Sequence, residues 1–164
     1  RYIPKPEDAR VFHPNGKGKL SESFSPYAYE KIVDTQVFQL TIQNNEGRSL
    51  GADQLQVQVS FNGLPYDYYD RNALIKQWRH YYYLNTNTVS GAPDFMEQER
   101  AIVAEKFISA HSFQAKDIPA GGQLSGLIAV PALDKSGMLK VRVRNLGNAV
   151  LSPDFVFHFN ISES

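Results

Sequence analysis

The chain has 164 residues, a length that suits one domain able to bury a core without staples, and its 42% hydrophobic content argues against disorder. Its 17 basic and 17 acidic residues cancel, so no net positive field gathers nucleic acid or an anionic membrane surface. Cysteine is absent, which excludes disulfides, thiol nucleophiles and cysteine metal sites together.

The 10 Phe and 9 Tyr, with Val and Ile in alternating patterns, favour strands. No apolar run reaches the roughly 18 residues a membrane-spanning helix needs, and the N-terminus does not read as a signal peptide. The chain begins Arg1-Tyr-Ile-Pro-Lys-Pro without a methionine, which fits a leader or tether removed by processing.

Residues 1–28 carry four of the nine prolines (Pro4, Pro6, Pro14 and Pro26), with Asn15-Gly16-Lys17-Gly18 between them. This composition cannot sustain a long ladder or helix, so an extended Pro/Gly-rich arm is expected, with one short pairing at Arg10 to His13. Residues 29–164 are expected to form a single β-sandwich domain.

From Tyr29 the pattern becomes that of strands. Val33, Thr35 and Val37 alternate with polar residues, and then Phe38, Leu40 and Ile42 take up the apolar role. A parity change within one strand means that both faces are partly covered, or that a bulge swaps them near Val37. Asn44-Asn45-Glu46-Gly47 supplies a turn. Leu55, Val57, Val59 and Phe61 then alternate against Gln56, Gln58 and Ser60, and Asn62-Gly63 closes that strand.

The middle of the chain departs from this rhythm. Leu74, Ile75 and Trp78 recur at helical spacing, and Tyr81, Tyr82 and Tyr83 after them prefer strands, so a helix running into a strand is expected over Asp70 to Tyr83. Asp94 to Ala110 reads as a helix, with Asp94-x-x-Glu97 at capping-box spacing behind Pro93. Phe95, Ile102, Val103 and Phe107 are its expected buried stripe, and Glu97, Glu99, Arg100, Glu105 and Lys106 its solvated side. Together these make a helical insertion over about residues 70–110.

Strands return after Phe113. Ile118-Pro119-Ala120-Gly121-Gly122 is a turn, Leu124 to Val130 a strand closed by Pro131, and Asp134-Lys135-Ser136-Gly137 a hairpin-like link to Met138 to Arg144. In this last strand Leu139, Val141 and Val143 point one way and Lys140, Arg142 and Arg144 the other, the basic row facing solvent. After a turn-rich gap from Asn145 to Pro153, the final strand places Phe155, Phe157, Phe159 and Ile161 on one buried face.

About seven short strands without a βαβ rhythm predict a mainly β fold, an antiparallel sandwich. The string Ile118-Pro-Ala-Gly-Gly-Gln-Leu-Ser-Gly-Leu-Ile-Ala-Val-Pro131, followed by Gly137-Met-Leu-Lys-Val-Arg-Val143, resembles the late strands of immunoglobulin-like domains in bacterial secreted proteins and lipoproteins. The likeness lies in a turn before a strand with a central glycine and a closing proline, and it extends weakly to Phe38 to Asn45. It implies an immunoglobulin-like β-sandwich exported to the cell envelope, and it carries over no functional residues. Many domains of that group have no assigned activity.

The candidate site is an aromatic patch: Tyr66, Tyr68, Tyr69, Trp78, Tyr81, Tyr82 and Tyr83, with Asp67 and Asp70 close by. Such rings can pack the insertion onto the sandwich, form a protein interface, or stack on sugar rings beside carboxylates that bind hydroxyls. Asp53, Asp67 and Asp70 lack the spacing of a calcium loop, and His13, His80, His111 and His158 lack zinc-site spacing. No serine lies in G-x-S-x-G and Gly121-Gly122 lacks phosphate-loop context.

The expectation is therefore a non-catalytic extracytoplasmic binding or structural domain without cofactor or metal. It would engage a protein of the cell envelope, or its own copies, through the aromatic insertion. The alternatives are a carbohydrate-binding module using the same rings and a hydrolase with an unrecognised site. Nucleic acid is not an expected partner, and a membrane enters only through an N-terminal anchor upstream of Arg1.

Overall fold

A computed structural model of the chain describes residues 2–3, 11–15, 19–27, 29, 32–86, 95–133, 135–145 and 155–161. Several expectations lie outside them: the rest of the N-terminal arm, the Pro93-Asp94 cap, the side chains of Tyr83, Phe95 and Glu97, and the turn after Asn145. The described part is mainly β. Its strands are β1 (Tyr2–Ile3), β2 (Val11–Asn15), β3 (Lys19–Phe24), β4 (Thr35–Gln43), β5 (Leu55–Phe61), β6 (Leu64–Pro65), β7 (Gln123–Pro131), β8 (Gly137–Asn145) and β9 (Phe155–Ile161). Helices α1 (Arg71–Thr86) and α2 (Phe95–His111) lie between β6 and β7. The sheets run β1-β4-β7, β2-β3 and β6-β5-β8-β9. The strands divide between two compact units, with β4 and β7 contributing residues to both.

The first unit comprises residues 1–39, 69–113 and 127–131. In it β2 and β3 pair antiparallel, with an irregularity between His13 and Pro14, so pairing in the proline-rich segment reaches beyond the short stretch expected. Asp70 starts α1: its carboxylate accepts the Ala73 N–H at 2.7 Å and its carbonyl the Leu74 N–H at 3.1 Å. α1 continues through Tyr81, Tyr82 and Tyr83 to Thr86, so the tyrosines are helical where a strand was expected, and Leu74, Ile75 and Trp78 are buried on one side.

The buried side of α2 is not the one the sequence suggested. Arg100, Ala104 and Ile108 are buried at a spacing of four, Val103 and Phe107 are half-buried, and Ile102 is 46% exposed. Two residues along a helix turn about 200°, so a row through Arg100, Ala104 and Ile108 sends Ile102 to the far side. Arg100 leaves the solvated face because its guanidinium has aromatic partners. It lies 5.8 Å from the Phe24 ring centroid and 5.3 Å from that of Tyr29, and donates to the Tyr29 hydroxyl at 2.9 Å.

Trp78 is the centre of this core. It is fully buried, stacks on Tyr29 at 5.4 Å between centroids, and donates its indole N–H to the Pro26 carbonyl at 2.8 Å. Tyr27 is equally buried, with its hydroxyl 2.8 Å from that of Ser112, and its carbonyl accepts the Thr35 hydroxyl. Burial pushes the Tyr27 phenol up to about 12, the Ser112 hydrogen bond opposing. Both ends of the helical segment meet β7, where the Tyr69 N–H donates to Ala129 and the Phe113 N–H to Leu127, each at 2.8 Å.

The second unit comprises residues 40–68, 114–126 and 132–164. β5 pairs antiparallel with β8 from Leu55↔Asn145 to Phe61↔Leu139, and β8 with β9 from Gly137↔Ile161 to Val143↔Phe155. One face of β5 and β8 buries Val59, Leu139, Val141 and Val143, following the alternation in the sequence. Asn62 and Gly63 have φ of 50° and 82°, the left-handed signs that a two-residue type I′ hairpin needs, and they turn β5 into β6.

Two expectations for this unit fail. β7 and β8 are not hairpin neighbours, since β7 pairs with β4 while β8 lies between β5 and β9. The final phenylalanines are not sealed in either: Phe155 is 58% and Phe157 44% exposed, because β9 is the end strand of its sheet. The parity change in β4 buries both Val37 and Phe38, so each face is covered there. Asn44, at the end of β4, ties two loops together. Its side-chain amide donates to the carbonyls of Arg48, Ile118 and Pro119 at 2.8, 2.9 and 3.1 Å, while its oxygen accepts the Glu46 N–H at 3.0 Å.

Candidate functional site

The seven aromatic residues do not form one surface of one unit. Trp78 is a core residue with its one polar side-chain hydrogen committed to Pro26. Tyr69 packs half-buried against the same core, and Tyr81 makes edge contacts with Tyr29 and Trp78 at 6.2 and 6.4 Å. Tyr82, half-buried, belongs to the same unit, and the Tyr83 side chain is outside the described residues. Tyr69, Trp78 and Tyr81 pack the core of the helical unit, for a physical reason: the turn from Asp70 starts a helix whose i, i+1, i+4 face carries Trp78 inward. The Asp70 carboxylate caps the start of α1.

Tyr66 and Tyr68 belong instead to the second unit, and there they line a groove with Asp67. The groove has a volume of about 540 Å³, and its floor is the paired middle of β5 and β8. Gln58 lies opposite Arg142 and Ser60 opposite Lys140 in the register, and all four line it. Pro65 and the hairpin Gly63 form part of the wall. The wall is held because the Tyr66 N–H donates to the Val59 carbonyl at 3.0 Å and the Tyr66 ring contacts Phe61 at 6.2 Å.

The chemistry of the groove is mixed. Lys140 and Arg142 only donate hydrogen bonds, Asp67 only accepts, and Gln58, Ser60 and the two tyrosine hydroxyls do both. Two cations against one carboxylate leave it net positive. Lys140, Arg142 and Arg144 are half-buried, so this face is more enclosed than a plain solvent side. The sequence contains the signal, polar alternation on both strands, but only the register of β5 on β8 brings Gln58 and Ser60 beside the basic row.

Arg79 and Glu105 form an ion pair between α1 and α2, which holds the Glu105 carboxyl below its ordinary value and the Arg79 guanidinium above its own. His111 stacks on Phe107 at 4.0 Å and its Nδ1 donates to the Phe107 carbonyl at 2.9 Å. Among the described residues no three His, Asp or Glu side chains gather as a metal would require, and no helix is long and apolar enough to cross a membrane. No family model, curated protein or solved structure matches the chain.

Proposed function

We propose that this chain is a non-catalytic binding domain of the bacterial cell envelope, an immunoglobulin-like sandwich with a helical insertion, that takes a carbohydrate chain in the β5/β8 groove. One observation carries the reading. Tyr66 and Tyr68, the two members of the aromatic patch outside the helical unit, share one groove with Gln58, Ser60, Asp67, Lys140 and Arg142. Ring faces suit the apolar side of a pyranose, and the neighbouring donors and acceptors suit its hydroxyls. The volume falls within the roughly 300 to 1,000 Å³ of ligand clefts.

The immunoglobulin-like part of the proposal rests on the antiparallel order β6-β5-β8-β9 and on the resemblance in residues 118–143. The insertion is supported by the return of both its ends to β7. Recognition through the aromatic face of the helices loses its strongest ring, because Trp78 is buried. A protein partner remains a second reading, favoured by the uncovered edge of β9.

The test is a glycan array of neutral and acidic oligosaccharides, followed by titration of any hit. Tyr66→Ala, Tyr68→Ala and Lys140→Ala are each expected to weaken binding by about tenfold or more, near 1.4 kcal/mol, with melting temperature retained. An array without hits, or hits unaffected by all three substitutions, sinks the carbohydrate reading.

A further inference from the structure

β9 ends its sheet in a way the opposite edge does not. The other edge strand, β6, has two residues, one of them Pro65, and short length and proline are how sheets avoid edge-to-edge association. β9 runs seven residues as Phe-Val-Phe-His-Phe-Asn-Ile, without Lys, Arg, Asp, Glu, Pro or Gly, and among the described residues it pairs with β8 alone. Strands of this composition are strong templates for another strand.

The inner face is open at the same edge. Val141 and Val143 of β8 are buried, whereas Phe155 and Phe157 beside them remain largely exposed. Both rings border an apolar groove of about 380 Å³ whose walls include Leu40, Ile42, Leu55 and Val143. Among the described residues this unit thus presents one apolar edge that no other strand pairs.

We infer that this chain self-associates through β9, two copies pairing antiparallel about a two-fold axis at His158. The strand is complementary to itself in that register. With His158 opposite His158 of the second copy, Phe157 faces Phe159 and Phe155 faces Ile161, so every inner-face pair is apolar. Val156 and Asn160 pair on the outer face. Neither strand brings a fixed charge, so no like-charge repulsion opposes the match. The isologous arrangement closes at two copies, joining the two four-stranded sheets into one.

The interface is small. Strand and groove walls together offer roughly 15 to 20 residues a side, under the 20 to 30 of a standard stable interface, so the dimer is concentration-dependent rather than obligate.

The absence of cysteine in the chain allows a clean register test. Opposed residues of an antiparallel pair have Cα atoms about 4.5 to 5.5 Å apart, within disulfide reach, whereas the two copies of residue 160 would lie about 13 Å apart. Under mild oxidation, His158→Cys is expected to form a disulfide-linked dimer and Asn160→Cys is not. Sedimentation of the unsubstituted chain should show mass rising toward two copies with concentration. Phe157→Lys and, on the outer face, Val156→Lys should each weaken association at least tenfold, circular dichroism confirming the fold. A chain that stays monomeric at millimolar concentration overturns the inference, as does crosslinking at Asn160 in preference to His158, or association indifferent to both lysines.

Discussion

Tyr27→Phe isolates one buried phenol, and alkaline pH supplies the perturbation. Tyr27 has no exposure, and burial raises its phenol from the ordinary 10.0 to about 12 because the phenolate would lose its water. Folding therefore favours the neutral form. That contribution is fully present below pH 10, where both states are protonated, and is lost as pH rises through 12. The complete loss corresponds to roughly 3 kcal/mol, and about half of it is gone by pH 11.

The variant removes this slope and one hydrogen bond, that between Tyr27 and Ser112. Its cost at neutral pH is about 1 kcal/mol. Urea unfolding of both proteins at pH 8, 9, 10 and 11 should show the parent chain ahead at pH 8, the difference narrowing above pH 10, and the two meeting near pH 11. Parallel loss of stability in parent and variant across that range would refute the burial argument.

Asn44→Ala removes a donor shared by the carbonyls of Arg48, Ile118 and Pro119 and the acceptor of the Glu46 N–H, and should destabilise by about 1 to 2 kcal/mol in urea unfolding, since the Ile118 and Pro119 carbonyls keep the N–H groups of Leu50 and Gly122. The corrected face of α2 has its own check. Ile108→Ala should cost about 2 to 5 kcal/mol and Ile102→Ala about 0.5 or less, where the pattern read from sequence would make Ile102 the more sensitive of the two.

The strands were legible wherever apolar residues alternate cleanly. Leu139, Val141 and Val143 face inward because a strand has period two whatever it pairs with. Asn62-Gly63 was readable as a turn for a similar reason, as few other pairs tolerate two left-handed residues in succession. Helical spacing sets Trp78 on the correct helix face but does not distinguish a core ring from an exposed one, because periodicity shows which residues share a side without showing what covers it. Arg100 shows the complementary limit: its burial depends on Phe24 and Tyr29, more than 70 residues away in the chain.

What the sequence determined by itself is local: strand alternation, the turns at Asn62-Gly63 and Ile118 to Gly122, helical spacing through Leu74, Ile75 and Trp78, and charge balance. The tertiary structure alone decided which strands are neighbours. Separating β7 from β8, setting β5 against β8 and leaving β9 at the edge are choices of pairing, and backbone hydrogen bonds form equally well between any two strands of suitable pattern. Those choices set Gln58 and Ser60 beside Lys140 and Arg142 in one groove, and they leave Phe155 and Phe157 uncovered.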